Sequence, residues 1–445
     1  MKSGLSFLVA ARQCEIDELE QLAGTSALAH VLGQLVHELQ RERGASNLFV
    51  ASGGQRFAEQ RRRLIAASDQ AVRDARACFD QLEPQAGYPG SRARLFSRIA
   101  YALHGLDALA GLRQRVDGLA LAPSVVIAAY IKLIASLLAV VFEAADSATD
   151  PEISRLLVAY FNFMQGKEIA GQERAAGAAI FASGQASSTQ QQQLLNLIDA
   201  QERCLQTFGN FADHEALSLW RTSQAGQTLA DLERMRRIAC TAGQASRLDA
   251  EQSTSWFDCC TRRIDAMKQV EDFLAQQLRQ LCKQKISQAR GELLAHERVL
   301  QALAQQEDMP SAPPSASGAA AEAVPLAAFF DSGDPVRSAG TNAGAGVLSN
   351  LHGYGPQMER AILEMMQEQS HRLQSMSDEL NTVRAALHER KVVERAKGLL
   401  MAHRQLTEEA AYRMLRQTAM EQNRRLIEVA ESVLALENYL TTGKN

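Results

Sequence analysis

Residues 25–306 form a nearly continuous series of helical patterns, and no other feature of the sequence restricts the fold as much. Apolar side chains recur three and four residues apart, as at Leu32, Leu35, Val36 and Leu39, which is the spacing of one helix face. Short breaks separate the helical segments at residues 52–55, 83–90, 121–124, 147–152 and 182–188. Because short turns between long helices join antiparallel neighbours, the pattern predicts up-down helical bundles.

The composition also favours an all-α globular chain. Of the 445 residues, 46% are apolar and only 10 are proline, and aromatic residues make up 5%, which favours helices over strands. The net charge of -4 gives the whole molecule no strong attraction to nucleic acid or membrane. Any site for an anion or a nucleic acid therefore has to be local.

The cysteines and the missing catalytic motifs exclude several classes of protein. The seven cysteines are odd in number and contain no C-x-x-C pair, which argues against a disulfide framework and a zinc site and favours a reducing cytosol. The sequence has no P-loop, no Gly-rich dinucleotide motif and no Ser-His-Asp spacing. We therefore expect a cytoplasmic protein that is not an enzyme and needs no cofactor.

One stretch, SVVIAAYIKLIASLLAVVF at residues 124–142, is long and apolar enough to span a bilayer. Lys132 lies near its middle, where a charge costs about 2.5–3.5 kcal/mol on insertion scales. The alternatives are a membrane span and a buried bundle helix, and the charge favours the bundle helix. The N-terminus is a poor signal peptide because its apolar run is very short, so we expect no membrane association.

A short motif occurs twice. The first copy reads ERGASNLFVASGGQ at residues 42–55, and the second reads ERAAGAAIFASGQ at residues 173–185. Arg43 and Arg174 occupy matching positions in the two copies. The repeat predicts that residues 25–306 form two helical bundles, related by duplication, with one copy of the motif in each.

The motif suggests an anion site. Small residues follow both arginines, so another backbone can approach each of them closely. If the two copies face each other, Arg43 and Arg174 point into one space, where the guanidiniums repel each other unless an anion lies between them. The planar guanidinium fork matches a planar oxyanion. The alternative is that each arginine pairs with a local carboxylate, such as Glu42 or Glu173.

Three segments resemble the NIT domain, a nitrate- and nitrite-sensing module. They are LQRERGASNLFVASGG, GKEIAGQERAAGAAIFASG and SWFDCCTRRIDAMKQVE, and the resemblance covers roughly residues 27–285. It implies two up-down four-helix bundles with nitrate or nitrite bound between the two signature helices. Arg43 and Arg174 fall on the signature arginines, and Arg41 belongs to the same motif. From the stretch ERMRR we select Arg236 as the third cation of the site.

The composition changes after residue 308. Pro, Ser, Ala and Gly dominate residues 309–350, which predicts a flexible linker. The sequence divides into an N-terminal segment (1–24), a sensor region (25–306), a linker (307–354), a coiled coil (355–386) and a C-terminal domain (387–445).

The helix after the linker carries a possible dimer seam. Its apolar residues follow the three-four spacing of a coiled coil: Leu373, Met376, Leu380, Val383 and Leu387. This spacing favours a homodimer. The alternative is one amphipathic helix that packs on its own chain.

The last domain contains a basic island in an otherwise acidic chain. Between Arg390 and Arg425 there are nine lysines and arginines against four glutamates. Such an island suits a phosphate backbone, although a solvated face with local ion pairs is the alternative. Gly398 inside a helix costs about 1 kcal/mol relative to alanine, and we expect close helix packing at that position.

The same region, VVERAKGLLMAHRQLTEEAAYRMLRQTAMEQNRRLIEVAESVL, resembles the ANTAR domain, a three-helix RNA-binding module of transcription antiterminators. The resemblance and the charge together select Lys397, Arg416 and Arg424 as the main RNA contacts, with Arg413 and Arg425 secondary.

The combined domains resemble nitrate-responsive transcription antiterminators. The resemblance implies a regulator that binds a leader RNA hairpin when nitrate or nitrite is present, so that the terminator cannot form. The alternative is a nitrate-sensing protein that acts on a protein or DNA partner and uses its C-terminal bundle for dimerisation.

Overall fold

A computed structural model describes residues 4–82, 91–146, 148–224, 226–242, 248–249, 251–307, 356–404, 406 and 408–442. Within these ranges every regular element is an α-helix, which confirms the all-α class. Almost all of the predicted linker 307–354 and the predicted break at 83–90 lie outside the described residues.

The helices follow one another with short connections in most of the chain. They are α1 (Gly4–Ala51), α2 (Ala58–Asp80), α3 (Ser91–Asp117), α4 (Pro123–Asp146), α5 (Pro151–Ser183), α6 (Ser188–Phe211), α7 (His214–Ser223), α8 (Gln227–Thr241), α9 (Gln252–Glu307), α10 (Pro356–Arg404), α11 (Glu408–Glu421) and α12 (Leu426–Thr442).

Local capping explains where several helices begin and end. Asp150 accepts a hydrogen bond from the backbone N–H of Ile153 and precedes the proline that opens α5, an arrangement that favours a helix start. Ser187 and Gln190 form a capping box at the start of α6. Gly53 and Gly54 adopt positive φ angles of 61° and 81° after α1, a conformation that glycine reaches without a steric penalty.

The first bundle contains α1, α2, α3 and α4. Helix α4 meets the length and composition of a membrane span, but half of its most apolar window is buried inside the protein. Tyr130, Ile134 and Leu137 are fully buried, and the hydroxyl of Tyr130 donates to Glu42 of α1 over 2.6 Å. These contacts agree with the bundle-helix alternative for residues 124–142.

The second bundle contains α5, α6, α8 and α9, with α7 as a short additional helix. Its core joins Phe181, Leu194, Leu232 and Trp256, one from each main helix. The indole N–H of Trp256 donates to the backbone oxygen of Arg174 over 3.0 Å. Each copy of the repeated motif therefore lies in a different bundle, as the repeat predicts.

The end of α10 packs with α11 and α12 into a small three-helix bundle. Its core includes Val392, Ala396, Leu415 and Val429. The third helix begins at Leu426. Nothing in the described structure lies within 4 Å of a Cβ placed on Gly398, so the prediction of close helix packing at this glycine is wrong.

The chain forms two compact units. Residues 18–284 and 376–445 form the larger unit, which holds both bundles and the C-terminal three-helix bundle. The described part of the smaller unit combines residues 4–17 with residues 285–307 and 356–375. Its helices are joined by ion pairs, in which Arg372 contacts Glu15 at 2.9 Å and Glu292 at 2.8 Å.

The predicted dimer seam divides between two environments. Leu373 is 50% exposed, whereas Leu380 and Val383 are buried. Val383 packs against Val158 of α5, with Phe142 and Phe211 beside them. At this part of α10 the amphipathic-helix alternative therefore describes the single chain, and the homodimer stays a prediction.

Candidate functional sites

The two signature helices bring Arg43 and Arg174 to the same small cavity. Arg43 comes from α1 and Arg174 from α5, and Gly44, Gly171 and Phe257 also line the cavity. Its volume is about 20 Å³, which is room for about one water molecule. The two arginines of the repeated motif therefore face one shared space.

A glycine on each signature helix leaves room for the arginine side chain of the other helix. A Cβ on Gly171 of α5 would lie 2.6 Å from Nη2 of Arg43, and a Cβ on Gly44 of α1 would lie 3.2 Å from Nη2 of Arg174. Each helix therefore offers a glycine to the guanidinium of the other. A larger residue at position 171 would displace the Arg43 head group.

Arg43 is only partly satisfied by its neighbours. Its side chain is 3% exposed, and Nη1 donates to Glu168 of α5. The Glu168 carboxylate also accepts from Gln40 over 2.8 Å and from Gln172 over 2.9 Å. Nη2 of Arg43 is buried and has no hydrogen-bond partner among the described residues, so it is a donor available to a ligand.

Arg174 is buried without a carboxylate in hydrogen-bond contact among the described residues. Its Nη1 donates to the hydroxyl of Thr261 over 2.9 Å, and its guanidinium lies 4.6 Å from the ring centroid of Phe257. Burial, followed by the nearby charge of Arg43, lowers the pKa of Arg174 to about 10. An anion beside it would remove this electrostatic penalty.

The glutamate of each motif is held inside its own bundle. Glu42 accepts from Nε and Nη2 of Arg113 over 2.7 and 2.8 Å. Glu173 accepts from Nε and Nη2 of Arg236, both over 2.6 Å. The glutamates and arginines of the two motifs thus have different roles, because each Glu anchors its own bundle while the next residue, Arg43 or Arg174, faces the cavity.

The other two predicted anion ligands lie elsewhere. The side chain of Arg41 is 50% exposed and pairs with Glu38 at 3.0 Å. Arg236 is committed to Glu173 and does not line the cavity. The described residues also include no group of His, Cys, Asp and Glu side chains that could hold a metal ion.

The predicted RNA-contact residues fall into two groups, and the first faces the second sensor bundle. Arg416 of α11 pairs with Asp199 of α6 at 3.1 Å. The guanidinium of Arg203, also on α6, lies 5.1 Å from the ring centroid of Tyr412. Lys397 is buried, with its ammonium 6.0 Å from the same ring and 2.8 Å from Glu394.

The second group is exposed. Arg413 is exposed, Arg424 pairs with Glu428 at 3.3 Å, and Arg425 lies 3.7 Å from Glu389. Pairs this exposed contribute little to stability, so these arginines can exchange their partners for phosphate at small cost.

Comparison with known proteins identifies the two domains in which these residues lie. Residues 34–279 match the NIT family, described as nitrate and nitrite sensing, and residues 381–434 match the ANTAR domain. The chain belongs to the NIT–ANTAR family. It is 31% identical over 433 residues to a Nitrate regulatory protein of Klebsiella oxytoca, an alignment that covers 97% of this chain and 95% of the relative.

A solved structure of the NasR transcription antiterminator is also similar. The two chains are 30% identical and superpose with a TM-score of 0.56, over 98% of this chain and 99% of the other. The arginine cavity lies within the matched NIT region, and all five predicted RNA contacts lie within the matched ANTAR region.

Sequence reasoning missed several residues of the NIT cavity. Glu168, Gly171 and Thr261 were not selected, although the first two lie inside the second signature segment. A helical-wheel argument could have found them, because residues 168, 171 and 174 are three apart and share one face of α5. Thr261 carries no such signal, since it comes from a helix distant in sequence.

Proposed function

We propose that this NIT–ANTAR protein is a nitrate- or nitrite-responsive transcription antitermination regulator that binds leader RNA. The proposal rests on the buried pair of Arg43 and Arg174, in which Nη2 of Arg43 is an unpaired donor among the described residues. The same chain contains an ANTAR domain. The printed names of its relatives, a nitrate regulatory protein and a transcription antiterminator, support the same function. The protein has regulatory rather than enzymatic chemistry and acts in the cytoplasm.

The ligand is a small oxyanion held by Arg43 and Arg174. Both guanidiniums are planar donors, and a planar trigonal anion such as nitrate can bridge them with charge-assisted hydrogen bonds. Arg41 and Arg236 have other partners, so we assign the direct contacts to Arg43 and Arg174 alone. Nitrate or nitrite is the only small molecule that the function requires, and no cofactor takes part.

Binding of this ligand requires movement of the signature helices or of their arginine side chains. The cavity has room for about one water molecule, whereas nitrate has four heavy atoms. Helix α1 or α5, or the two arginines, must therefore shift when the anion enters. Because α5 also carries Val158, which packs against Val383 of α10, such a shift reaches the helix that leads into the ANTAR bundle.

The contacts of α6 with the ANTAR bundle describe a masked state. Asp199 forms an ion pair with Arg416. The guanidinium of Arg203 lies over the ring of Tyr412, and the ammonium of Lys397 also lies near this ring. RNA phosphates compete for the same basic groups. We propose that nitrate favours an arrangement in which this face is free, since a ligand shifts an equilibrium only by its preference for one state.

The freed ANTAR domains act as a homodimer on a leader RNA. One small bundle offers little surface, and two joined copies gain avidity on paired hairpin loops. The RNA is then held in a form that excludes the terminator stem. Leu373, half exposed on α10, is the part of the predicted seam that a second copy would cover. Competition between RNA and DNA at fixed salt separates this function from DNA binding.

Calorimetry of the full chain with nitrate, nitrite and chloride tests the ligand site. Wild-type protein should bind nitrate or nitrite and not chloride, and Arg43→Ala and Arg174→Ala should each abolish binding, because truncation of one partner of a buried charged contact costs roughly 2–5 kcal/mol. Arg41→Ala is the matched control on the same helix and should bind as wild type does. Retained nitrate affinity in Arg43→Ala would exclude the shared site.

A further inference from the structure

Among the described residues, Glu168 is the one carboxylate that forms an ion pair with either arginine of the cavity, and its partner is Arg43. We propose that Glu168 sets the charge selectivity of the cavity, so that the site accepts a monoanion and rejects a dianion. The inference rests on the proposed function of Arg43 and Arg174, and it concerns which anions they take. It assigns a specificity role to a residue outside the signature arginines.

The surroundings of Glu168 hold its carboxylate in place. Its side chain is 3% exposed. One carboxylate oxygen accepts from Arg43 and Gln172, and the other accepts from Gln40. Because the carboxylate is buried and accepts from three donors, it has no low-cost way to leave the site when a ligand arrives.

The buried charges around the cavity add up to a single positive excess. Arg43 and Arg174 contribute two positive charges, and Glu168 removes one. Asp265 also attracts Arg174, but its side chain is exposed, so solvent and salt screen its charge. The neighbouring acids Glu42 and Glu173 do not change this balance, because each is already paired with an arginine of its own bundle at 2.6–2.8 Å. One bound monoanion therefore makes the buried cluster neutral.

A dianion leaves the same cluster with a buried negative charge. Such a charge is costly where water is excluded and no further positive charge compensates it. Glu168 engages Nη1 of Arg43 and leaves Nη2 without a partner, so a monoanion can bind without displacing the carboxylate. The selectivity thus comes from a fixed charge beside the ligand and not from the size of the cavity alone.

The test uses the full-length protein and compares nitrate with sulfate by calorimetry at constant ionic strength. Glu168→Gln keeps the shape of the side chain and removes its charge, so the sulfate-to-nitrate affinity ratio should rise at least about tenfold, as expected for a unit charge within several ångströms of the ligand. Glu168→Asp keeps the charge and should keep the wild-type ratio. Glu59→Gln, an exposed carboxylate of α2 paired with Arg63, is the control for a general change in net charge.

The outcomes separate this inference from the proposed function. If the wild-type protein binds nitrate and Arg43→Ala does not, the ligand site holds. If Glu168→Gln then keeps the wild-type sulfate-to-nitrate affinity ratio, the role of the Glu168 charge is overturned. It is also overturned if Glu168→Asp raises that ratio as much as Glu168→Gln does. Should Glu168→Gln fail to fold, the wild-type protein still decides: thermal unfolding should shift upward in nitrate and not in equimolar sulfate, and equal shifts would overturn the proposal.

Discussion

At the scale of single residues, the proposed anion site depends on glycines as much as on arginines. Alanine usually stabilises a helix relative to glycine, by about 1 kcal/mol. At position 171 the added methyl would lie 2.6 Å from Nη2 of Arg43, so it must push the guanidinium out of the cavity. The geometry of the ligand contact therefore changes even though the helix itself is favoured.

We predict that Gly171→Ala lowers nitrate affinity at least about tenfold, the equivalent of 1.4 kcal/mol. Gly111→Ala in α3 is the matched control, because nothing lies within 4 Å of its added Cβ. It should raise the free energy of unfolding by roughly 0.5–1 kcal/mol and leave nitrate binding unchanged. Calorimetry and chemical denaturation measure the two quantities, and wild-type affinity in Gly171→Ala would contradict the predicted position of Arg43.

A second prediction concerns Arg236, which clamps the buried carboxylate of Glu173. Removal of one partner of a buried ion pair typically costs 3–5 kcal/mol, so Arg236→Ala should lower the free energy of unfolding by about that amount. Arg237→Ala, the exposed neighbour, should change it by less than roughly 0.5 kcal/mol. Normal stability with lost nitrate binding in Arg236→Ala would place this arginine among the ligands.

The sequence predicts the arginine pair from the repeat, but the repeat does not identify the side chains that contact these arginines. A repeat makes Arg43 and Arg174 equivalent, and equivalence is visible without coordinates. Glu168 and Thr261 depend on how α5 rotates against α1 and α9, which no local pattern specifies. The alternative that Arg43 and Arg174 pair with Glu42 or Glu173 is wrong, because these glutamates pair with arginines from other helices of their own bundles.

At the scale of elements, the helical pattern predicts most of the architecture. Periodicity and short breaks give long antiparallel helices because both are local properties. The packing partner of the apolar seam on α10 could not be predicted in the same way, since three-four spacing fits packing against a second chain or against the same chain. Val383 contacts Val158, and only the fold brings those two residues together.

Gly398 is the glycine of the ANTAR bundle whose role the sequence misassigns. It lies inside α10 with nothing within 4 Å of its position for a Cβ, so no described contact requires it. We predict that Gly398→Ala raises the free energy of unfolding of the domain by about 1 kcal/mol and weakens binding of leader RNA. Denaturation and gel shifts measure the two effects, and unchanged RNA affinity would show that the RNA does not approach the helix at this position.

At the scale of the whole molecule, the proposed regulation depends on contacts between α6 and the ANTAR bundle. Asp199 attracts Arg416 at 3.1 Å, and both side chains are about half exposed, so the pair alone contributes roughly 0–1 kcal/mol. The masked state is therefore held by several weak contacts. Weak contacts suit a switch, because nitrate then needs to supply only a modest difference in binding free energy between the masked state and the state with the ANTAR face free.

We predict that Asp199→Arg raises RNA affinity in the absence of nitrate by roughly three- to tenfold, because repulsion of Arg416 replaces attraction. Glu202→Arg is the control: it makes the same charge change at an exposed position of the same helix. Gel shifts at fixed salt compare the two variants. Equal gains in both would mean that added positive charge, and not release of the ANTAR face, increases the affinity.

The most direct test of the whole account is the affinity of the full-length protein for leader RNA with and without nitrate, with chloride replacing nitrate at constant ionic strength. Nitrate should tighten RNA binding by a factor of about 5–150, the usual range of allosteric coupling, and this gain should vanish in Arg43→Ala and Arg174→Ala. Equal RNA affinity with and without nitrate in the wild-type protein, or an undiminished gain in either variant, would contradict the account.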